Sequence, residues 1–89
     1  MGTKTRRKDD LPDRIRGILK TEFPDETVDV SLSGIRDNVH VIVVSNKFDR
    51  MTEKKKQDYL WKLIDESSLS EEEKLRISMV LPVSPKELR

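Results

Sequence analysis

The run Val39-His40-Val41-Ile42-Val43-Val44 constrains this chain more than any other segment. Apart from one histidine it is all valine and isoleucine. Such side chains lose rotamer freedom against a helical turn and pack well on a pleated surface. A near-continuous run of this kind, bounded by polar turns, predicts a central strand with a neighbour on each side. The rest of the chain must supply those neighbours and a layer to cover them.

Val28, Val30 and Leu32 alternate with Asp29 and Ser31, which predicts one neighbour with a single wet face. Ser33-Gly34 and Asp37-Asn38 bracket a loop of hairpin length between that strand and the central run. Ile77, Met79 and Leu81 alternate with Arg76, Ser78 and Val80, which predicts the third strand, stopped by Pro82 and Pro85.

The covering layer is also legible. Ile15, Ile18, Leu19 and Phe23 recur at helical spacing, so 12–22 reads as an amphipathic helix. Asp10 or Asp13 serves its start, beside Pro12, and Pro24 ends it. Thr52 is suited to cap a second helix over about 52–66, with Tyr59, Leu60, Leu63 and Ile64 on its buried side. Ser70-Glu71-Glu72-Glu73 has the form of a capping box, opening a short third helix, and Ser84-Pro85-Lys86-Glu87 begins a last helical turn. Tyr59, Leu60, Leu63, Ile64, Phe48 and Met79 are the expected core. The predicted fold is α+β, in the order α-β-β-α-α-β, with a three-stranded sheet. The two main helices share one face of it and the other face is open.

With 89 residues there is one core and little room for a deep cavity, which favours a binding module over an enzyme. No serine, histidine and acid form a recognisable set, Asp49 and Asp58 make no catalytic pair, and no glycine-rich phosphate loop is present. Charged residues reach 39%, yet the apolar ones fall in periodic runs, so a folded centre under a charged surface is expected over 11–89. Residues 1–10, carrying Lys4, Arg6, Arg7 and Lys8, read as a disordered basic tail.

The net charge of +1 gives no overall pull on polyanions, but Lys54, Lys55 and Lys56 face an acidic set of Asp65, Glu66, Glu71, Glu72 and Glu73 along the chain. The absence of cysteine excludes disulfides and thiolate-held metal unless a partner supplies the sulfur. No apolar run approaches a membrane span, and no apolar stretch follows the N-terminal basic residues, so a cytoplasmic location is expected.

Three pieces of sequence resemble the BolA family. The first is Ile15-Arg16-Gly17-Ile18-Leu19 followed by Phe23-Pro24 and Val28-Asp29-Val30. The second, Val43-Val44-Ser45-Asn46-Lys47-Phe48, is similar to the family's Val-Val-Ser-x-x-Phe signature, with Thr52 at its following serine and Lys56 at its basic position. The third, Ser84-Pro85-Lys86-Glu87, is similar to the closing Thr-Pro-Glu-Glu. The resemblance implies a KH-like (type II-like) fold. It also implies a non-enzymatic regulatory or adaptor role, through binding nucleic acid or through pairing with a monothiol glutaredoxin around a shared iron–sulfur cluster. This chain departs from the pattern at three places. Arg76 stands where the family has a histidine, Arg50 where it often has glycine, and Lys56-Gln57 where it has a basic-His pair. A guanidinium does not ligate iron.

The candidate contact residues are Arg50, Lys54, Lys55, Lys56 and Trp61. Lysines at a helix start can meet phosphates or simply form a solvated face. Lys56, one turn before Leu60, is expected to lay its stem along the core edge with its amine outside. Trp61 shares a flank with Lys54 and Asp58, where it stacks on a base, anchors a protein, or packs under the tail or final segment. His40 is either a sheet-surface histidine or, by the resemblance, a ligand to the shared cluster. No resident cofactor and no membrane partner are expected. The rival expectation is an interaction module, monomer or weak homodimer, that pairs through the open sheet face.

Overall fold

The computed structural model describes residues 10–34 and 37–88, so the expectation for residues 1–9 lies outside the described residues. The first helix, α1, spans Leu11–Glu22 and buries Leu11, Ile15 and Leu19, one residue per turn on one stripe. Pro12 sits in its first turn, where no backbone donor is needed. Asp10 caps through its backbone carbonyl, which accepts from the Arg14 amide at 3.0 Å, and its side chain makes no capping bond. Phe23 leaves helical geometry because Pro24 follows it.

Strands β1, Thr27–Leu32, and β2, Val39–Val44, form an antiparallel hairpin with Val30 opposite Val41. Gly34 and Asp37 take positive φ in the loop, the conformation glycine adopts freely and aspartate tolerates. A 3-10 turn, Asn46–Phe48, leads to α2, Glu53–Asp65, and then to α3, Glu71–Leu75. Strand β3, Ile77–Val83, lies parallel to β2 on its other side, and a 3-10 turn, Pro85–Leu88, ends the described chain. A parallel pair needs a long crossover, which α2 and α3 provide. The result is a small α+β fold with a three-stranded mixed sheet in the order β1-β2-β3, the apolar run at its centre.

Alternation along β2 divides the sheet. Val39, Val41 and Val43 are fully buried in one core with Leu11, Ile15, Leu19 and Phe23 before them and Phe48, Leu60 and Ile64 after them. His40, Ile42 and Val44 point the other way and stay half-buried. Phe23, Phe48 and Tyr59 form a tilted and edge-on trio with ring centres 5.8, 6.1 and 6.3 Å apart, the arrangement aromatic quadrupoles favour. Of the expected core residues, Phe48, Leu60 and Ile64 are buried, while Tyr59 and Leu63 pack half-buried against them.

Two expectations for β3 are corrected. The strand register jumps between Val39 and His40, which pair with Ile77 and Met79, so Ser78 is an extra residue. The bulge reverses the alternation. Val80 and Pro82 therefore turn to the core, and Met79 and Leu81 to the open face. Pro82 does not stop the strand. It lies inside β3, paired with Val43, and an outer strand tolerates proline where its missing donor faces away from the ladder.

Candidate functional site

Of the candidate contact residues, Arg50, Lys54, Lys55 and Lys56 lie at the start of α2, whereas Trp61 lies in its second half. The Ser45 hydroxyl accepts from the Lys47 amide at 3.0 Å and sets the 3-10 turn. The Thr52 hydroxyl accepts from the Lys55 amide at 3.2 Å and opens α2, as a threonine cap does. Arg50, Lys54 and Lys55 are all exposed on this end of the helix.

Their electrostatic states differ. Lys54 Nζ lies 2.7 Å from Asp58 Oδ2, one turn along the helix. That hydrogen bond, and then the attraction between the two charges, raise the Lys54 pKa above its ordinary value. Lys54 is still 84% exposed, so water screens the pair. For Arg50 and Lys55 no side-chain partner is found among the described residues.

Lys56 belongs to another environment. It is 3% exposed, and its ammonium lies 2.9 Å from the largely solvated Glu53 carboxylate. The expectation of an amine held outside is therefore corrected. The stem and the charge are both covered, one turn before the buried Leu60, and the exposed Glu53 is one partner of that charge. Gln57, beside it, donates from Nε2 to the Val80 carbonyl at 2.8 Å and fastens α2 to β3. Trp61 is half-buried and packs against the core.

His40 stands apart from this end of α2. It sits half-buried on the open face, opposite Ser31 of β1 and beside Met79 of β3. Arg76 closes the same end of the sheet. Its Nε and Nη2 donate to the Asp37 carbonyl of the hairpin loop at 2.9 and 2.7 Å. No cluster of three or more His, Cys, Asp or Glu side chains suited to a metal occurs among the described residues. One imidazole, with Arg76 committed to a carbonyl, is a poor donor set for an iron–sulfur cluster.

Sequence reasoning missed the residues that hold these surfaces in place. Lys47 donates to the Glu22 carbonyl at 2.9 Å and its ammonium lies 4.9 Å from the centre of the Phe23 ring. Arg14 bonds both carboxylate oxygens of Glu73, which also serves the Ser70 cap, so α1 and α3 are joined. The Ser84 hydroxyl donates to Asp49 and ties the last segment to the turn before α2. These contacts link residues up to 59 positions apart, and no local pattern announces them.

No described helix is long and apolar enough to cross a membrane. No family model, curated protein or solved structure matches this chain.

Proposed function

We propose that this chain is a BolA-like, KH-related binding protein that does no covalent chemistry, and that its partner is a nucleic acid. The order of helices and strands, with the parallel β2–β3 pair around a two-helix crossover, supports the first part beside the three sequence pieces. One observation carries the second. Arg50, Lys54 and Lys55 stand exposed together at the start of α2, while the neighbouring Lys56 is turned inward. Phosphates bind such solvated cations by displacing counterions, without a cavity. The chain has no Gly-x-x-Gly sequence, its glycines standing at 2, 17 and 34, so the backbone contacts to single-stranded RNA that such a loop makes in KH domains are not part of the proposal.

Duplex DNA binding measured from low to moderate salt should weaken steeply. Replacing Arg50 and Lys55 together with alanine should reduce the slope of log affinity against log salt by about 2, close to 0.9 for each phosphate no longer neutralised. An unchanged slope places the binding face elsewhere, and no binding at low salt removes the proposal.

A monothiol glutaredoxin is the second reading, favoured by the Arg76–Asp37 junction of the hairpin and β3, which makes one firm edge for a protein to meet. In this form it is a protein contact without a shared cluster, given the donor set described above. Mixing with cluster-loaded glutaredoxin should move amide resonances of this chain and leave the visible spectrum unchanged. A spectral change that disappears in His40→Ala would restore the cluster.

A further inference from the structure

The open face of the sheet has a pattern that the proposed function does not use. Register places its side chains in three columns. β1 gives Thr27, Asp29 and Ser31, β2 gives Val44, Ile42 and His40, and β3 gives Val83, Leu81 and Met79. The β1 column is exposed and polar, whereas five of the six positions on β2 and β3 are apolar. Leu81 is 44% exposed. The bulge at Ser78 creates this pattern, because it turns Met79 and Leu81 away from the core.

We propose that this face pairs with a second copy of the chain. The face has no lysine, arginine or aromatic side chain and carries a carboxylate, Asp29, so it suits neither a polyanion nor the headgroups of an acidic membrane. Its outer strands are poor templates for extending the sheet. Pro82 lacks a donor in β3, and the Val30 carbonyl of β1 already accepts from Arg16 at 2.8 Å. The columns are self-complementary instead. A two-fold axis running along the strands, between β2 and β3, sets Ile42 over Leu81 of the other copy and Val44 over Val83. It also sets His40 over Met79, and it leaves the β1 column as a polar rim. Apolar centre and polar rim are the anatomy of a protein interface.

The apolar block measures roughly 10 by 17 Å from strand spacing and rise. That is well under the roughly 800 Å² per partner of a stable complex, so the dimer is weak and forms only at high protein concentration.

The test is a dilution series of the unmodified protein from millimolar to micromolar, by sedimentation and amide NMR. Mass should move from dimer towards monomer, and the shifts should centre on residues 40–44 and 79–83. Ile42→Lys and Leu81→Lys should each weaken the dimer at least tenfold. Leu75→Lys, at an 82% exposed leucine on α3, should leave it intact. A monomer at 1 mM, or a dimer indifferent to both face variants, overturns the proposal. Shifts on this face produced by DNA, by acidic vesicles or by glutaredoxin, without self-association, would assign it to that partner and equally overturn the proposal. If a face variant fails to fold, the dilution series alone decides.

Discussion

The Tyr59 hydroxyl donates to the Glu22 carboxylate at 2.7 Å, joining the end of α1 to the middle of α2. Burial, and then this bond to Glu22, push the Tyr59 pKa up to about 12 from an ordinary 10.0. The bonds from Tyr59 and then Lys47 hold the Glu22 carboxyl below its usual range. The signs follow from linkage. Tyr59 keeps its proton better when folded, so its contribution to stability is complete below pH 10 and fades towards pH 12. Glu22 loses its proton more readily when folded, so its contribution is present at neutral pH and fades as acid passes its ordinary value. Tyr59 is the only tyrosine, so phenolate absorbance reads it directly. Its midpoint should lie near about 12 in the folded protein and near 10 in urea. Tyr59→Phe should cost about 1 kcal/mol at neutral pH by urea unfolding.

Lys55 and Lys56 are neighbours with opposite expected phenotypes. Lys55→Ala changes an exposed side chain and should alter stability by less than about 0.5 kcal/mol, while lowering the salt dependence of DNA binding. Lys56→Ala removes a covered stem and strands the core edge, and should cost about 1–3 kcal/mol. Once folded, that variant should bind DNA with the salt slope of the parent. Paired urea unfolding and salt titrations separate the two.

Ser70 is the start of a complete capping box, in which its hydroxyl accepts from the Glu73 amide and Glu73 returns to the Ser70 amide. Glu73 is held below the ordinary carboxyl range by the Ser70 backbone first and by Arg14 next. Ser70→Ala should cost about 1 kcal/mol. It should also expose amides of α3 to hydrogen exchange before those of α2, since α3 is only five residues long.

Arg76 spans the gap between β3 and the hairpin loop by two bonds to one carbonyl. Arg76→Ala should raise exchange at residues 37–39 while leaving the β2 interior protected. Uniform loss of protection across β2 would instead assign Arg76 to the global stability of the sheet.

Periodicity revealed the elements because each has an uninterrupted pattern. The valines of β2, the Leu11-Ile15-Leu19 stripe and the Thr52 and Ser70 caps each act within a few residues of one another. Ser78 defeated the same reasoning. A bulge inserts one residue into an alternating run, and Ile77-Ser78-Met79-Val80 reads as an unbroken alternation whether or not it slips. Lys56 failed for a different reason. Its place near the buried stripe was legible, but its amine position depends on Glu53 and on the packing above the sheet. Of the proposed contact residues, the clustering of Arg50, Lys54 and Lys55 was visible. The engagement of Arg76 with Asp37, across 39 positions, was not.

The parallel pairing of β2 with β3 orders the assembly of the chain in time. The β1–β2 hairpin closes over a few residues, whereas the β3 partners of Val39 and Val44 are Ile77 and Val83. That longer closure carries the larger entropic cost, so docking of β3 is the natural slow step of folding. Until Val83 has left the ribosome, the central valines have a neighbour on one side only. The interval before β3 arrives is when this chain is most open to misassociation.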